Sequence, residues 1–69
     1  MVEKIFADKL KELRLEKGLS QDELAKKIGL TQRKVSKLET MQLNPSAQVI
    51  VDIAKFFAVS TDYLLGLED

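Results

Sequence analysis

Between Leu24 and Leu38 the chain carries Lys26, Lys27, Arg33, Lys34 and Lys37, and no acidic residue. The whole molecule holds 11 basic and 11 acidic side chains, so this +5 stretch is balanced by −5 elsewhere. A local basic stripe on a neutral protein suits a polyanionic partner. Read alone, the same stripe is also what a solvated lysine face looks like. Gln32 and Arg33 add a second chemistry, because glutamine can pair with adenine through two hydrogen bonds and arginine with guanine.

Other chemistries find no support. The chain has no His and no Cys, which removes imidazole bases, thiolate ligands and disulfides. Ser20, Ser36, Ser46 and Ser60 therefore have no imidazole to activate them. The adjacent carboxylates Asp22 and Glu23 are explained by the favourable charge they bring to a helix N-terminus. The three glycines are isolated and make no phosphate-cradling loop. We therefore expect no enzyme, cofactor, metal or small-molecule ligand. No apolar run approaches the 18 residues of a membrane span. The charged start does not read as a secretory signal, so the expected compartment is the cytoplasm, with no membrane partner. One Tyr and three Phe, mostly at core or C-terminal positions, offer no platform for stacking single-stranded RNA.

These side chains need elements to position them. At 69 residues, 45% of them hydrophobic, the chain can build one small core, and we read 1–69 as a single domain. A first helix spans about Glu3 to Lys17, with Phe6, Leu10, Leu13 and Lys17 on one stripe and Ile5 beside it; Gly18 ends it. Ser20-Gln21-Asp22-Glu23 is a capping box opening a second helix, about Gln21 to Ile28, with Leu24, Ala25 and Ile28 inward and Gly29 as its stop. Thr31 caps a third, about Gln32 to Glu39, with Val35 and Leu38 inward. Ser46 caps a fourth, with Ile50, Ile53, Ala54 and Phe57 as its stripe. Ser60 caps a short fifth, about Thr61 to Leu65, with Leu64 inward and Gly66 after it. The fold class is all-α, five short helices around one core.

With Val35 and Leu38 inward, Arg33, Ser36 and Lys37 face outward, Lys34 lies on a flank and Gln32 occupies the exposed first turn. Only Leu30 separates Gly29 from Thr31, so the second and third helices meet at a tight turn. A short capped helix, a tight turn and a polar, basic second helix make a helix-turn-helix, whose second helix enters the major groove.

The chain resembles the lambda-repressor-like domains, the Cro/repressor or XRE family of phage and bacterial regulators. The matching stretches are Leu10-Lys11-Glu12-Leu13-Arg14, Gly18-Leu19-Ser20-Gln21-Asp22-Glu23-Leu24-Ala25, Gly29-Leu30-Thr31-Gln32, Val35-Ser36-Lys37-Leu38-Glu39, Asn44-Pro45-Ser46, Ile53-Ala54 and Val59 to Gly66. Together they cover about Phe6 to Gly66. The resemblance implies a compact five-helix domain and sequence-specific binding of double-stranded DNA. It implies base contacts from Gln32, Arg33, Ser36 and Lys37. It implies phosphate contacts from Gln21, Thr31 and Lys34, and Thr40, Gln42 and Asn44 could donate further neutral hydrogen bonds there. As a phosphate anchor alone, Gln21 would serve every duplex equally. Arg14 and Glu39 match a structural ion pair that orients the third helix without touching DNA. A homodimer on an inverted-repeat operator is implied, through the C-terminal surface. Its apolar residues off the core stripes are Phe56, Tyr63, Leu65 and Leu67, with Val51 nearby. The expected role is a transcriptional repressor.

The chain departs from the family after Glu39, where Thr40-Met41-Gln42-Leu43 replaces the usual glycine and basic residues. A left-handed Met41 would cost roughly 1 kcal/mol or more, so either the third helix runs on or the turn differs. If two loop cations are missing per protomer, the log-log salt slope of a dimer becomes shallower by roughly 3–4 units. Ala58 likewise replaces a glycine. We expect Leu43 to tuck into the core beneath Pro45. If Met41 and Leu43 are instead a protein contact, the alternative is a helix-turn-helix-derived interaction module, an adaptor or antitoxin-like partner with weak or no specific DNA binding.

Overall fold

The computed structural model describes residues 2–67, with side chains from residue 4 onward. The ends of the 1–69 domain assignment, Met1, Glu68 and Asp69, lie outside the described residues. Five helices follow one another: α1 Val2–Glu16, α2 Gln21–Ile28, α3 Gln32–Glu39, α4 Ala47–Phe57 and α5 Thr61–Leu64. The bounds of α2 and α3 coincide with those read from the caps, and α1 and α5 each end one residue early. There is no strand among the described residues.

Every capping residue expected from the sequence does its work. Ser20 Oγ accepts from the Glu23 amide at 3.0 Å while Glu23 Oε1 accepts from the Ser20 amide at 2.8 Å. Thr31, Ser46 and Ser60 each accept from the amide three residues on, at 3.1, 3.2 and 3.0 Å. Such caps matter because helices of eight residues are unstable alone and each cap contributes about 1 kcal/mol.

The C-termini share one closing device. Leu19, Leu30, Gln42, Val59 and Leu67 each donate a backbone hydrogen bond five residues back, over a residue of positive φ. This is the Schellman closure. Glycine serves three ends, but Met41 (φ +64°) and Ala58 (φ +56°) serve the other two. The helix therefore does not run on past Glu39. Met41 adopts the left-handed form, whose steric cost is about 1–2 kcal/mol for a residue with a Cβ. At Gly66 the need is also spatial: a Cβ there would sit 2.8 Å from Ile5 Cγ2.

One core joins all five helices: Phe6 and Leu10 from α1, Leu24 and Ala25 from α2, Val35 and Leu38 from α3, Ile53, Ala54 and Phe57 from α4, and Leu64 from α5. The radius of gyration, 10.6 Å, is close to the roughly 11 Å expected for a compact chain of this length. α2 packs on α3, and α1 packs on both α3 and α5. The α1 stripe differs from the one read in the sequence. Lys17 is exposed and Leu13 only half-buried, while Ala7 and Arg14 are buried. Arg14 follows Leu10 by one turn, and it can be buried because each of its three guanidinium nitrogens has a hydrogen-bond partner. Leu43 is also not in the core. Leu38 already fills the core position at the end of α3, and Leu43, 39% exposed, lies with Pro45 and Val49 along an open, mainly apolar cleft.

Candidate nucleic-acid interface

α3 is held from beneath by Val35 and Leu38, both buried, and presents Gln32, Arg33 and Lys34 to solvent. Ser36 and Lys37 are half-buried. Thr31 stands exposed at the N-cap. Its hydroxyl oxygen accepts from Lys34, which leaves its hydrogen available to a partner. Of the residues expected to meet bases or phosphates, Gln21, Thr31, Gln32, Arg33 and Lys34 gather around the N-terminal turns of α2 and α3.

The far end of α3 is arranged differently. The Thr40 hydroxyl donates to the Ser36 carbonyl at 2.9 Å, so its hydrogen is already engaged. Gln42 and Asn44 are exposed, and so is Met41, at 53%. Asn44 lines the same apolar cleft as Leu43, together with Lys34.

The basic stripe does not remain one surface. Lys26 pairs with Asp22 at 3.2 Å across one turn of α2. Lys27 lies toward α4, in a shallow cleft with Ile28, Asp52, Lys55 and Phe56. Three of the five cations, Arg33, Lys34 and Lys37, thus belong to α3, and two belong to the end of α2.

The expected ion pair is present and is the root of a longer network. Arg14 Nε donates to Glu39 Oε2 at 2.7 Å and Nη2 donates to Oε1 at 3.1 Å. Arg14 Nη1 donates to the Leu19 carbonyl at 2.8 Å. Hydrogen bonding to Glu39, against burial and helped by the Glu39 charge, raises the Arg14 pKa further above its ordinary value. Gln21 Nε2 then donates to Glu39 Oε1 at 3.1 Å, and Gln32 Nε2 donates to Gln21 Oε1 at 2.8 Å. The ends of α1, α2 and α3 are thereby tied by side chains alone. The two glutamine bonds span 18 and 11 residues of sequence, and no local spacing signals them.

The C-terminal surface is less bare than its composition suggests. Phe56 and Tyr63 are half-buried and pack against the core. Lys17 Nζ lies 5.4 Å from the Phe56 ring centre and Lys9 Nζ lies 4.5 Å from that of Tyr63, within cation–π range. Val51 and Leu65 are half-buried, and Leu67 is 74% exposed. No helix among the described residues is long and apolar enough to cross a membrane.

Comparison with known proteins agrees with this geometry. A helix-turn-helix family model matches residues 10–64. An HTH-type transcriptional regulator of Methanocaldococcus jannaschii, itself uncharacterized, is 36% identical over 90% of this chain and 94% of its own length. The HTH-type transcriptional activator BcrR of Enterococcus faecalis is 36% identical over 93% of this chain, which spans 31% of that protein. The HTH-type transcriptional regulator SinR of Bacillus licheniformis is 35% identical over 94% of this chain, which spans 60% of it. With its capped α2, its tight turn and its exposed, polar α3, the chain belongs to the XRE family of helix-turn-helix domains, the DNA-binding units of transcriptional regulators and not enzymes.

Proposed function

We propose that this chain binds double-stranded DNA sequence-specifically, with α3 in the major groove. The observation that carries this reading is the exposure of Gln32, Arg33 and Lys34 at the N-terminal end of α3, the end that meets base edges in helix-turn-helix proteins. Gln32, Arg33, Ser36 and Lys37 contact bases. Gln21, Thr31, Lys34, Gln42 and Asn44 contact phosphates, Gln21 from the N-terminus of α2, where free amides also favour anions. Thr40 reaches a phosphate only by giving up its bond to the Ser36 carbonyl.

A homodimer formed through Phe56, Tyr63, Leu65 and Leu67 would set two copies of α3 about 34 Å apart, one turn of DNA. The exposed Leu67 and the half-exposed Leu65 support that surface. Occupancy of an operator overlapping a promoter excludes polymerase, so repression is the expected effect, in the cytoplasm. BcrR is named an activator, and in this reading the sign of regulation follows from where the operator lies. Selection from random duplexes at low salt tests the proposal. An enriched inverted repeat with half-sites one turn apart supports specific readout by a dimer, and a pool without enrichment rejects it.

A second reading, a protein-interaction module, is favoured by Met41 and Leu43. Both are exposed, and Leu43 borders an apolar cleft with Leu30, Leu38 and Val49. Salt separates the two. Affinity through phosphates falls steeply with salt, whereas a hydrophobic contact is insensitive to it.

A further inference from the structure

The cleft beside α3 combines two properties that one kind of ligand shares. Its walls are apolar, from Leu30, Leu38, Leu43, Pro45 and Val49, and Lys34 and Asn44 also line it. Its volume is about 220 Å³, more than the roughly 150 Å³ of a protein cavity that takes up benzene. An aromatic or branched aliphatic side chain therefore fits. Its charge is one-sided. Between Leu24 and Val51 the only carboxylate is Glu39, and Arg14 and Gln21 hold it. Lys34 stands one helical turn from Leu38, so a cation lies directly beside the apolar wall. Among the described residues, neither Lys34 nor its α3 neighbours Arg33 and Lys37 take part in an ion pair. Phosphates account for the cations, but a duplex backbone is anionic and polar and leaves the apolar wall uncovered.

We propose that this cleft docks an acidic segment of a partner protein, anchored by one apolar side chain, and that docking displaces DNA. The anchor enters among Leu30, Leu43 and Val49, and carboxylates beside it meet Lys34. Exposed apolar surface rimmed by polar groups is the usual mark of a protein contact, and opposite charge selects the partner and speeds its approach. The competition rests on the DNA-binding reading above. In that reading Lys34 and Asn44 face phosphates, and they cannot serve a phosphate and a partner's carboxylate at once. A single surface thus carries both the grip on DNA and the means of releasing it.

The probe is a phage-displayed library of random peptides, selected on the unaltered chain, on Leu43→Glu and on Lys34→Glu. Leu43 and Lys34 lie outside the core, so both variants are expected to fold. Leu15→Glu, which alters an exposed leucine on α1, is the control. The unaltered chain is expected to enrich peptides that join Leu, Ile, Phe or Met to Asp or Glu. By fluorescence anisotropy, affinity for the enriched peptide should fall at least about tenfold in Leu43→Glu, the loss of one buried apolar anchor. It should be unchanged in Leu15→Glu. Selection on Lys34→Glu should lose the acidic residues. The peptide should also release a duplex enriched by the unaltered chain. No peptide enrichment, full affinity in Leu43→Glu, or acidic peptides still enriched by Lys34→Glu overturns the docking site and leaves DNA binding intact. Peptide and duplex bound together overturns the competition. Self-association in sedimentation that Leu43→Glu abolishes assigns the cleft to a second copy and overturns the acidic partner. If the unaltered chain enriches no duplex, the DNA-binding reading falls, the competition falls with it, and the peptide selections still decide the cleft.

Discussion

Arg14 and Glu39, 25 residues apart in sequence, meet in a two-pronged hydrogen-bonded ion pair with their side chains only 10% and 3% exposed. The pair joins α1 to the end of α3, and among the described residues no buried side-chain nitrogen or oxygen is left without a partner. Removing one member strands the other charge. Arg14→Ala or Glu39→Ala is expected to lower stability by about 3–5 kcal/mol, whereas Arg14→Met with Glu39→Met should recover much of it. Urea titration of the three variants checks this. Single variants within 1 kcal/mol of the parent would mean the pair is solvated in solution.

Met41 and Ala58 hold left-handed backbones that glycine adopts without strain. Met41→Gly and Ala58→Gly should each raise stability by up to about 1 kcal/mol, the relief of strain offset in part by glycine's greater unfolded-state entropy. For a domain this small that is about 4–8 °C in Tm. A fall in Tm for both would show that the turns are not strained.

Gly66 shares the left-handed backbone but not the open space around it. Gly66→Ala places a methyl against Ile5, so it should destabilise by more than about 1 kcal/mol. Gly29→Ala, whose Cβ would meet nothing within 4 Å, carries only the backbone cost. Parallel thermal melts compare the two, and equal losses would remove the role given to Ile5.

Arg33 and Lys34 are neighbours with different expected work. Arg33→Ala should cost about 1–3 kcal/mol and relax specificity at one base pair. Lys34→Ala should weaken all duplexes alike and reduce the salt slope by about 0.9 per protomer. Binding isotherms on cognate and scrambled duplexes at several salt concentrations separate these. Equal loss on every duplex for Arg33→Ala would place it on phosphate instead.

Glu23 is held below the usual carboxylate range, first by the Ser20 amide and then by the Ser20 hydroxyl, with a smaller push from Lys26. A lowered folded-state pKa means the contribution is present above the unfolded value and is lost as pH falls through the folded one. NMR titration of the Glu23 carboxyl should find it below an ordinary glutamate, and Ser20→Ala should move it back up. An unshifted carboxyl would mean the capping box is open in solution.

What this sequence determined by itself is what depends on neighbours along the chain. Caps at Ser20, Thr31, Ser46 and Ser60 each bond three residues on, and apolar spacing on α2, α3 and α4 names the inward face, so five helices and an exposed α3 were legible in advance. On α1 the stripe named Phe6 and Leu10 correctly but not Ala7 or Arg14, and Arg14 is polar by type and becomes buriable only through Glu39 and Leu19. The turn at Met41 was undecided for a similar reason. Local sterics disfavour the left-handed form, yet α3 closes there, with Leu38 in the core and the Gln42 amide donating to the Lys37 carbonyl across Met41. The chain order also placed five cations in one stretch, but packing of α2 against α4 divided them. The path from Glu39 through Gln21 to Gln32 belongs wholly to the tertiary structure. Hydrogen bonds between side chains on different helices need those helices docked first, and their donors and acceptors are assigned only by the partner each one meets.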